Sequence, residues 1–391
     1  MENNMFKMKF IEDFQFNHFW QKRFFEDASN RQYFNLDTFN KLSNDRFNIF
    51  KFVEHDFTRE FTDDSYYFPV FAVLNQQKEQ IKQVTEYIKA NRTLFEEKKL
   101  IPIIFDPLEG HVWMPNLISQ LADEVKDICR IYYVDGNKKN EGHEKFTFYY
   151  SNMWMYTIAD MIPEIKVRNR YDPMQLTLSE DHKIFICLNR LAREHRVRLV
   201  SSLIDNDVRK HGYISWTGQP GMHDWQEKFP NVANETFDTL DVVNIFEENP
   251  TNKFPTEFCK ETFIFLNTET LFDNKTMFLS EKSFKPMVLG MPFILLGNPG
   301  ILEFLRSFGF KTFDKWVDES YDFDIDLTDR CNIIAKEIDR FSKMTSDERM
   351  KIRQEMHEIT QHNLQTLQEL AKKSDIYDIL LDIKLKALST T

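Results

Sequence analysis

Strand-length apolar runs alternate twice along this chain with segments of helical periodicity, and no other feature restricts the possible folds as much. Residues 67–74 are a first apolar run, and residues 78–95 carry Ile81, Val84, Ile88 and Leu94 at helical spacing. Residues 100–105 form a second run, 117–125 read as a helix, and 128–134 form a third run closed by Asp135-Gly136-Asn137. Continuous apolar strands separated by amphipathic helices belong to a parallel sheet covered on both faces. Around 168–181 the pattern lapses into polar residues with Pro173, the composition of a linker. It then restarts with apolar runs at 183–188, 212–216, 262–266 and 292–296. Between them, 194–204 is a helix with Val197, Val200 and Leu203 on one face. A short helix over 281–289 opens on Ser280 as N-cap and stops at Gly290. Residues 219–255 read as a long loop. Residues 345–388 are helical, with Met350, Ile352, Met356, Ile359, Leu364, Leu367 and Leu370 as the apolar stripe.

The expected layout is therefore an unassigned segment over 1–65, an α/β domain over 66–172, a second over 180–344, and C-terminal helices over 345–391. The fold class is α/β: two Rossmann-like domains facing across a cleft. With 391 residues, 42% of them apolar, the chain has material for two cores. Its 38 Phe are read as core filling. A formal net charge of −12 lacks the basic footprint of a dedicated nucleic-acid binder. Cys129, Cys187, Cys259 and Cys331 lie far apart with no CxxC spacing, which fits free thiols in a reducing compartment. Neither an apolar signal region nor an uninterrupted run of about 18 apolar residues occurs, so the expectation is a soluble, cytoplasmic protein without a membrane span.

Ligands of open α/β sheets bind outside the carboxyl ends of the strands, so the loops that follow the apolar runs carry the candidate chemistry. Ser280-Glu281-Lys282 opens a helix whose first amides and Lys282 suit phosphate, while the Glu281 carboxylate suits the hydroxyls of a ribose. Asn189-Arg190-Leu-Ala-Arg193-Glu-His195-Arg196-Val-Arg198 places four arginines directly after a strand, and guanidinium forks suit diphosphate oxygens. Arg190 and Arg193 are the candidates there, with Arg198 read as structural. The loop Asp106-Pro-Leu-Glu109-Gly110-His111 holds two carboxylates and an imidazole, any of which could act as general base, and Asp135 is a fourth candidate. His182, His211, His223, His357 and His362 show no metal spacing. Asp324-Ile-Asp326 fits the letters of a metal-binding DxD pair but lies in an unpatterned acidic stretch, so it reads as a surface loop. No GxGxxG, P-loop or GxSxG occurs, which argues against dinucleotide dehydrogenases, P-loop NTPases and α/β-hydrolases.

The segment Phe278-Leu-Ser-Glu-Lys-Ser-Phe-Lys-Pro-Met-Val-Leu-Gly-Met-Pro-Phe-Ile-Leu-Leu-Gly297 resembles the donor domain of a phage and large-virus group of glycosyltransferases, which carry T-E-K-T-[FW]-K-P followed by PFI. The stretch Cys187-Leu-Asn-Arg-Leu-Ala-Arg-Glu-His-Arg196 matches that group's L-N-R-x-x-R-x-H-R pattern, and 309–322 continues the likeness. More distantly, the Glu-Lys helix is similar to that of α1,3-fucosyltransferases, which are GT-B folded, inverting and metal-independent. The resemblance is tight over 183–198 and 262–322, loose in the first domain, and absent from the first 65 residues. Ser280 and Ser283 stand where Thr is usual.

The resemblance implies that Glu281 holds the donor ribose, that Lys282 holds the diphosphate, and that Arg190 or Arg193 contacts the phosphates. Asn189 and Glu269 match group positions, the latter of unspecified role. The implied activity is transfer of a sugar from a nucleotide-sugar donor to a hydroxyl acceptor on a glycan, a protein or a modified DNA base, with no metal or other cofactor. Asp106, Glu109 or His111 would be the base. One alternative is an enzyme of hydroxymethylated phage DNA, and another is a non-catalytic nucleotide- or sugar-binding protein.

Overall fold

The computed structural model describes residues 8–12, 50–54, 66–71, 77–106, 110, 112–159, 162, 172–175, 178–220, 222–237, 256–273, 275–372 and 376–389. The chain divides into two compact units, one formed by Met1–Met153 with Lys373–Thr391 and the other by Trp154–Lys372.

The first unit is built on a parallel sheet of order β2-β1-β3-β4-β5-β6. Its strands are β1 (Met8–Glu12), β2 (Phe50–Glu54), β3 (Tyr66–Phe71), β4 (Leu100–Asp106), β5 (Tyr132–Asp135) and β6 (Thr147–Tyr150). β1 and β2 come from the segment with no assignment in sequence, and pair in parallel with Met8 opposite Phe50 and Glu12 opposite Glu54. The apolar run of β4 is buried along its whole length, as a central strand covered on both faces requires. Helix α1 (Gln77–Ala90) lays Ile81, Val84 and Ile88 against it, and α2 (Met114–Val125) adds Met114, Leu117, Ile118, Leu121 and Val125. These 3-4 spacings put one apolar stripe of each helix into a single core.

The second unit holds a parallel sheet of order β10-β9-β7-β8. The strands are β7 (Lys183–Ala192), β8 (Gly212–Pro220), β9 (Thr262–Thr268) and β10 (Phe293–Leu296), and β9 and β10 are fully buried. The helices that bear on the site are α3 (Glu194–Asp205), α4 (Glu281–Val288), α5 (Ile301–Ser307), α6 (Leu327–Ser342) and α7 (Ser346–Lys372). Gly290 follows α4 with φ +61°, and a Cβ there would stand 2.1 Å from the Pro173 carbonyl oxygen, so the helix stop needs glycine twice over.

The C-terminal helices expected over 345–391 are divided between the units. α7 lies in the second unit and buries Arg353, Met356, Thr360, Asn363, Leu364 and Leu367. Met350, Ile352, Ile359 and Leu370 of the expected stripe are only half-buried, because the inward face carries polar side chains with dedicated partners. Asn363, for example, accepts from the Lys311 amide and donates to the Lys311 carbonyl, both at 2.8 Å. α8 (Ile376–Ser389) belongs to the first unit. Its Asp382 accepts from the Tyr149 hydroxyl on β6 at 2.6 Å, and Leu380 and Ile383 are buried.

Candidate functional site

The strand order of the second sheet reverses between β7 and β9: the chain steps from β7 out to β8, then returns to lay β9 and β10 on the other side. Loops diverge at such a switch point and leave a crevice outside the carboxyl ends of the two strands. The arginine-rich segment runs from the end of β7 into α3 and the Glu269–Lys282 segment follows β9, so the two motifs found far apart in sequence flank one switch point.

The centre of this arrangement is Glu269, fully buried. One carboxylate oxygen accepts from the Ser280 amide at 2.9 Å and the Ser283 hydroxyl at 2.5 Å. The other accepts from the Ser280 hydroxyl at 2.7 Å and the Thr270 amide at 2.6 Å. Glu269 thus fixes the start of α4 through three donors of Ser280 and Ser283, and a negative charge beneath a helix N-terminus is favourable in itself. Its backbone carbonyl is held from the other side by His195 Nε2 at 2.8 Å and Arg196 at 3.0 Å. Burial, with Arg196 beside it, pushes the His195 ring well below its ordinary pKa. The ring is neutral, and a neutral ring donating from Nε2 has Nδ1 bare. It stacks on Phe272 with centroids 4.9 Å apart, and the buried Arg330 of α6 lies 5.3 Å from the Phe272 ring centroid.

Ser280 caps α4 as expected from sequence, with its hydroxyl accepting from the Lys282 amide at 3.3 Å. The consequence for phosphate binding differs from the expectation. The Ser280 amide is occupied by Glu269, the Lys282 amide by Ser280, and the Ser283 amide by the Ser280 carbonyl at 3.2 Å. The helix start is therefore internally satisfied, and attraction of an anion falls to side-chain cations. Asn189 is likewise turned inward, accepting from the Thr268 hydroxyl at 3.0 Å and donating to Cys187 Sγ at 3.2 Å. Asn189, Glu269 and Ser280 build the wall of the site.

Its open face is made by other residues. α4 buries Ser283, Phe284, Met287 and Val288 and leaves Glu281, Lys282 and Lys285 half-buried on one stripe, since positions three and four apart are neighbours on a helix. Lys282 Nζ donates to the Thr270 hydroxyl at 2.9 Å and is paired with Glu281. Burial alone would raise the Glu281 carboxyl, but Lys282 and Lys285 prevail and hold it below the usual carboxylate range. Lys285 is pulled down to about 8, by burial first and by Lys282 in addition, against the attraction of Glu281. Across the switch point, Arg193 donates to the Thr270 carbonyl, and Arg190 is exposed beside a register shift between Asn189 and Leu191. Burial pulls Arg196 down to about 10, so it stays charged at neutral pH. Thr270 joins the two sides, meeting Arg193, Ser280 and Lys282. Arg198 is engaged elsewhere, with Thr328 and Glu194.

Sequence reasoning named His195 and Arg196 within the arginine-rich segment without giving them a role, and passed over Thr270 and Lys285. Lys285 had a signal, standing four residues after Glu281 on the same helix face. The role of Thr270 had none, because it depends on which loops the strand order brings together.

In the first unit, Asp106 ends β4, stands in register with Asp135 of β5, and both are buried. Burial first, and Asp106 second, push the Asp135 carboxyl well above the usual range. Asn140 donates to one Asp135 oxygen. Glu109 and His111, the other two candidate bases, lie outside the described residues.

Asp326 of the DxD look-alike caps α6 by accepting from the Thr328 amide at 2.7 Å, and Asp324 is exposed. Among the described residues no group of three or more His, Cys, Asp or Glu gathers as a metal ion would need. All four cysteines are free, and no helix of the described residues is long and apolar enough to cross a membrane.

No protein-family model matches the sequence, and no curated protein matches it. Among solved structures, it is similar to α,α-trehalose 6-phosphate synthase from Burkholderia multivorans, with 12% identity and a TM-score of 0.44 over 84% of this chain and 72% of that one. It is also similar to Anabaena HepE in complex with UDP and glucose, with 10% identity and a TM-score of 0.42 over 99% of this chain and 100% of that one.

Proposed function

We propose that the protein is a GT-B-type glycosyltransferase whose second unit binds a nucleotide-sugar donor at the β7/β9 switch point. The observation that carries this reading is the gathering of Glu281, Lys282 and Lys285 on one side of that point with Arg190 and Arg193 on the other. Cations outnumber carboxylates there, and the Glu281 carboxylate is held ionised, ready to accept two ribose hydroxyls. Lys282 and the arginines hold the diphosphate and stabilise the charge that develops on it as the glycosidic bond to the donor breaks. In this reading side-chain cations supply what a metal ion supplies in a DxD enzyme. Asp106, at the carboxyl end of β4, is the candidate within the described residues for the base that takes the proton of the acceptor hydroxyl as it attacks the anomeric carbon. Attack with one base and no covalent enzyme intermediate inverts the anomeric centre. The phage and large-virus resemblance and a cytoplasmic site of action belong to this same reading.

The test is calorimetric titration with nucleoside diphosphates, followed by donor hydrolysis over a panel of nucleotide-sugars. A charge-assisted hydrogen bond is worth about 1.5–3 kcal/mol, so Lys282→Ala should weaken binding roughly 10- to 150-fold. Stability should change little, because the Lys282–Glu281 pair is partly solvated. Unaltered affinity in Lys282→Ala and Glu281→Ala would rule the assignment out.

A further inference from the structure

Lys282 is held at two points of different kind. Its Nζ donates to the Thr270 hydroxyl at 2.9 Å and is paired with the Glu281 carboxylate. The first contact continues inward: the Thr270 hydroxyl donates to the Ser280 hydroxyl at 3.1 Å, which donates to Glu269 at 2.7 Å. An ammonium can only donate and each hydroxyl has one proton to give, so the row from Lys282 to Glu269 runs in one direction. Its inner end is fixed, because Ser280 and Glu269 are buried. Thr270 is pinned through its backbone as well, its amide donating to Glu269 at 2.6 Å and its carbonyl accepting from Arg193. A β-branched side chain is stiff at χ1, so the Thr270 hydroxyl is a fixed anchor for the ammonium.

The second contact is looser. The Lys282 and Glu281 side chains are 26% and 14% exposed, so a ligand can part this pair where it cannot part the buried row. A carboxylate that takes both hydroxyls of a ribose uses both of its oxygens, and one of these is the oxygen now on Lys282. Ribose therefore competes with Lys282 for Glu281. The ammonium so released keeps one N–H on Thr270 and has the others for phosphate oxygens. Diphosphate without ribose has nothing to offer Glu281 and must contend with the intact pair.

We infer that Thr270 is the positioning residue for Lys282, and that the Glu281–Lys282 pair makes the site select ribose and diphosphate in one molecule over diphosphate alone. The inference rests on the donor reading and deepens it by naming how a ribonucleoside diphosphate is told from pyrophosphate.

The experiment titrates the full chain calorimetrically with the adenosine, cytidine, guanosine and uridine diphosphates and with pyrophosphate. Melting curves show that each variant is folded, and Thr270→Ala replaces Thr270→Val if the latter is not. At least one nucleoside diphosphate should bind wild type about tenfold or more tightly than pyrophosphate does. Thr270→Val should lose about tenfold for that nucleotide and Thr270→Ser should keep most of the affinity. Added to Lys282→Ala, Thr270→Val should cost less than about twofold, since its effect passes through Lys282. Glu281→Ala should weaken the nucleotide yet strengthen pyrophosphate severalfold, and the strengthening should vanish in Glu281→Ala/Lys282→Ala. The role of Thr270 is overturned by wild-type affinity in Thr270→Val, by no rescue in serine, or by an undiminished loss beside Lys282→Ala. The selection is overturned if pyrophosphate binds wild type as the nucleotide does, if Glu281→Ala fails to strengthen it, or if the gain persists without Lys282. Wild type that binds no nucleoside diphosphate sinks the donor reading itself, and this inference with it.

Discussion

Glu269→Ala separates a residue that builds the site from one that touches the ligand. The wild-type carboxylate takes four donors: two backbone amides and two serine hydroxyls. The hydroxyls can turn to other acceptors after truncation, whereas the amides of Thr270 and Ser280 are fixed by the chain. Each buried amide left without a partner costs about 1–3 kcal/mol, and breaking a buried charged network as a whole costs about 3–5 kcal/mol. For a unit of this size, each kcal/mol lowers the melting midpoint by about 2–4 °C, so a fall on the order of 10 °C is expected by circular dichroism. Glu269→Gln keeps the shape and one acceptor oxygen but turns an amide group toward the Thr270 N–H. Its cost should be about 1–3 kcal/mol, with a smaller loss of nucleoside-diphosphate affinity than Lys282→Ala shows. If Glu269→Ala melts within about 2 °C of wild type yet no longer binds nucleotide, Glu269 is a ligand contact and the bracing argument fails.

Two further predictions concern pH. Lys285 titrates at about 8 in the folded chain, so its ammonium attracts an anion below that pH and is lost above it. Nucleoside-diphosphate affinity should therefore fall severalfold between about pH 7 and 9 in wild type and be lower but flat in Lys285→Met, measured calorimetrically; a flat wild-type profile would remove Lys285 from the site. Asp135 is raised in the folded chain above its ordinary 3.8, so its contribution to stability is fully present below that value and is lost as pH rises toward the folded-state pKa. Asp135→Asn keeps an acceptor for Asn140 without the charge, and should raise stability at pH 7 while leaving it unchanged near pH 3. Equal chemical-denaturation midpoints at pH 7 would refute the raised Asp135 carboxyl, whose first cause is burial and whose second is Asp106.

Local signals carried much of this fold. The apolar runs at β4, β7, β9 and β10 are strands, and Ser280 and Gly290 bound α4 as capping chemistry requires. β1 and β2 escaped because Met8-Lys-Phe-Ile-Glu12 and Phe50-Lys-Phe-Val-Glu54 are short and broken by charges, and only pairing with β3 and with each other makes them sheet. The candidate site was legible in its residue types but not in their division of labour. Glu269 meets Ser280 and Ser283 across a loop of more than ten residues, so nothing local distinguishes a buried brace from a ligand contact. The stripe of α7 was misplaced for a related reason: Arg353 and Asn363 face inward because backbone groups of other segments wait for them, which hydrophobic periodicity does not register.

The division of α7 and α8 between the units has a consequence for cutting the chain. The polypeptide passes from the first unit to the second after Met153 and returns after Lys372. The second unit is one uninterrupted stretch inserted into the first, which is made of two, so no single cleavage releases both whole. A chain stopped at Lys372 would keep every residue of the donor crevice, yet the side left incomplete would be the opposite one, with Tyr149 deprived of Asp382. Residues 373–391 thus complete a unit whose other part precedes the second unit, and the first unit cannot finish folding until the whole of the second has been synthesised.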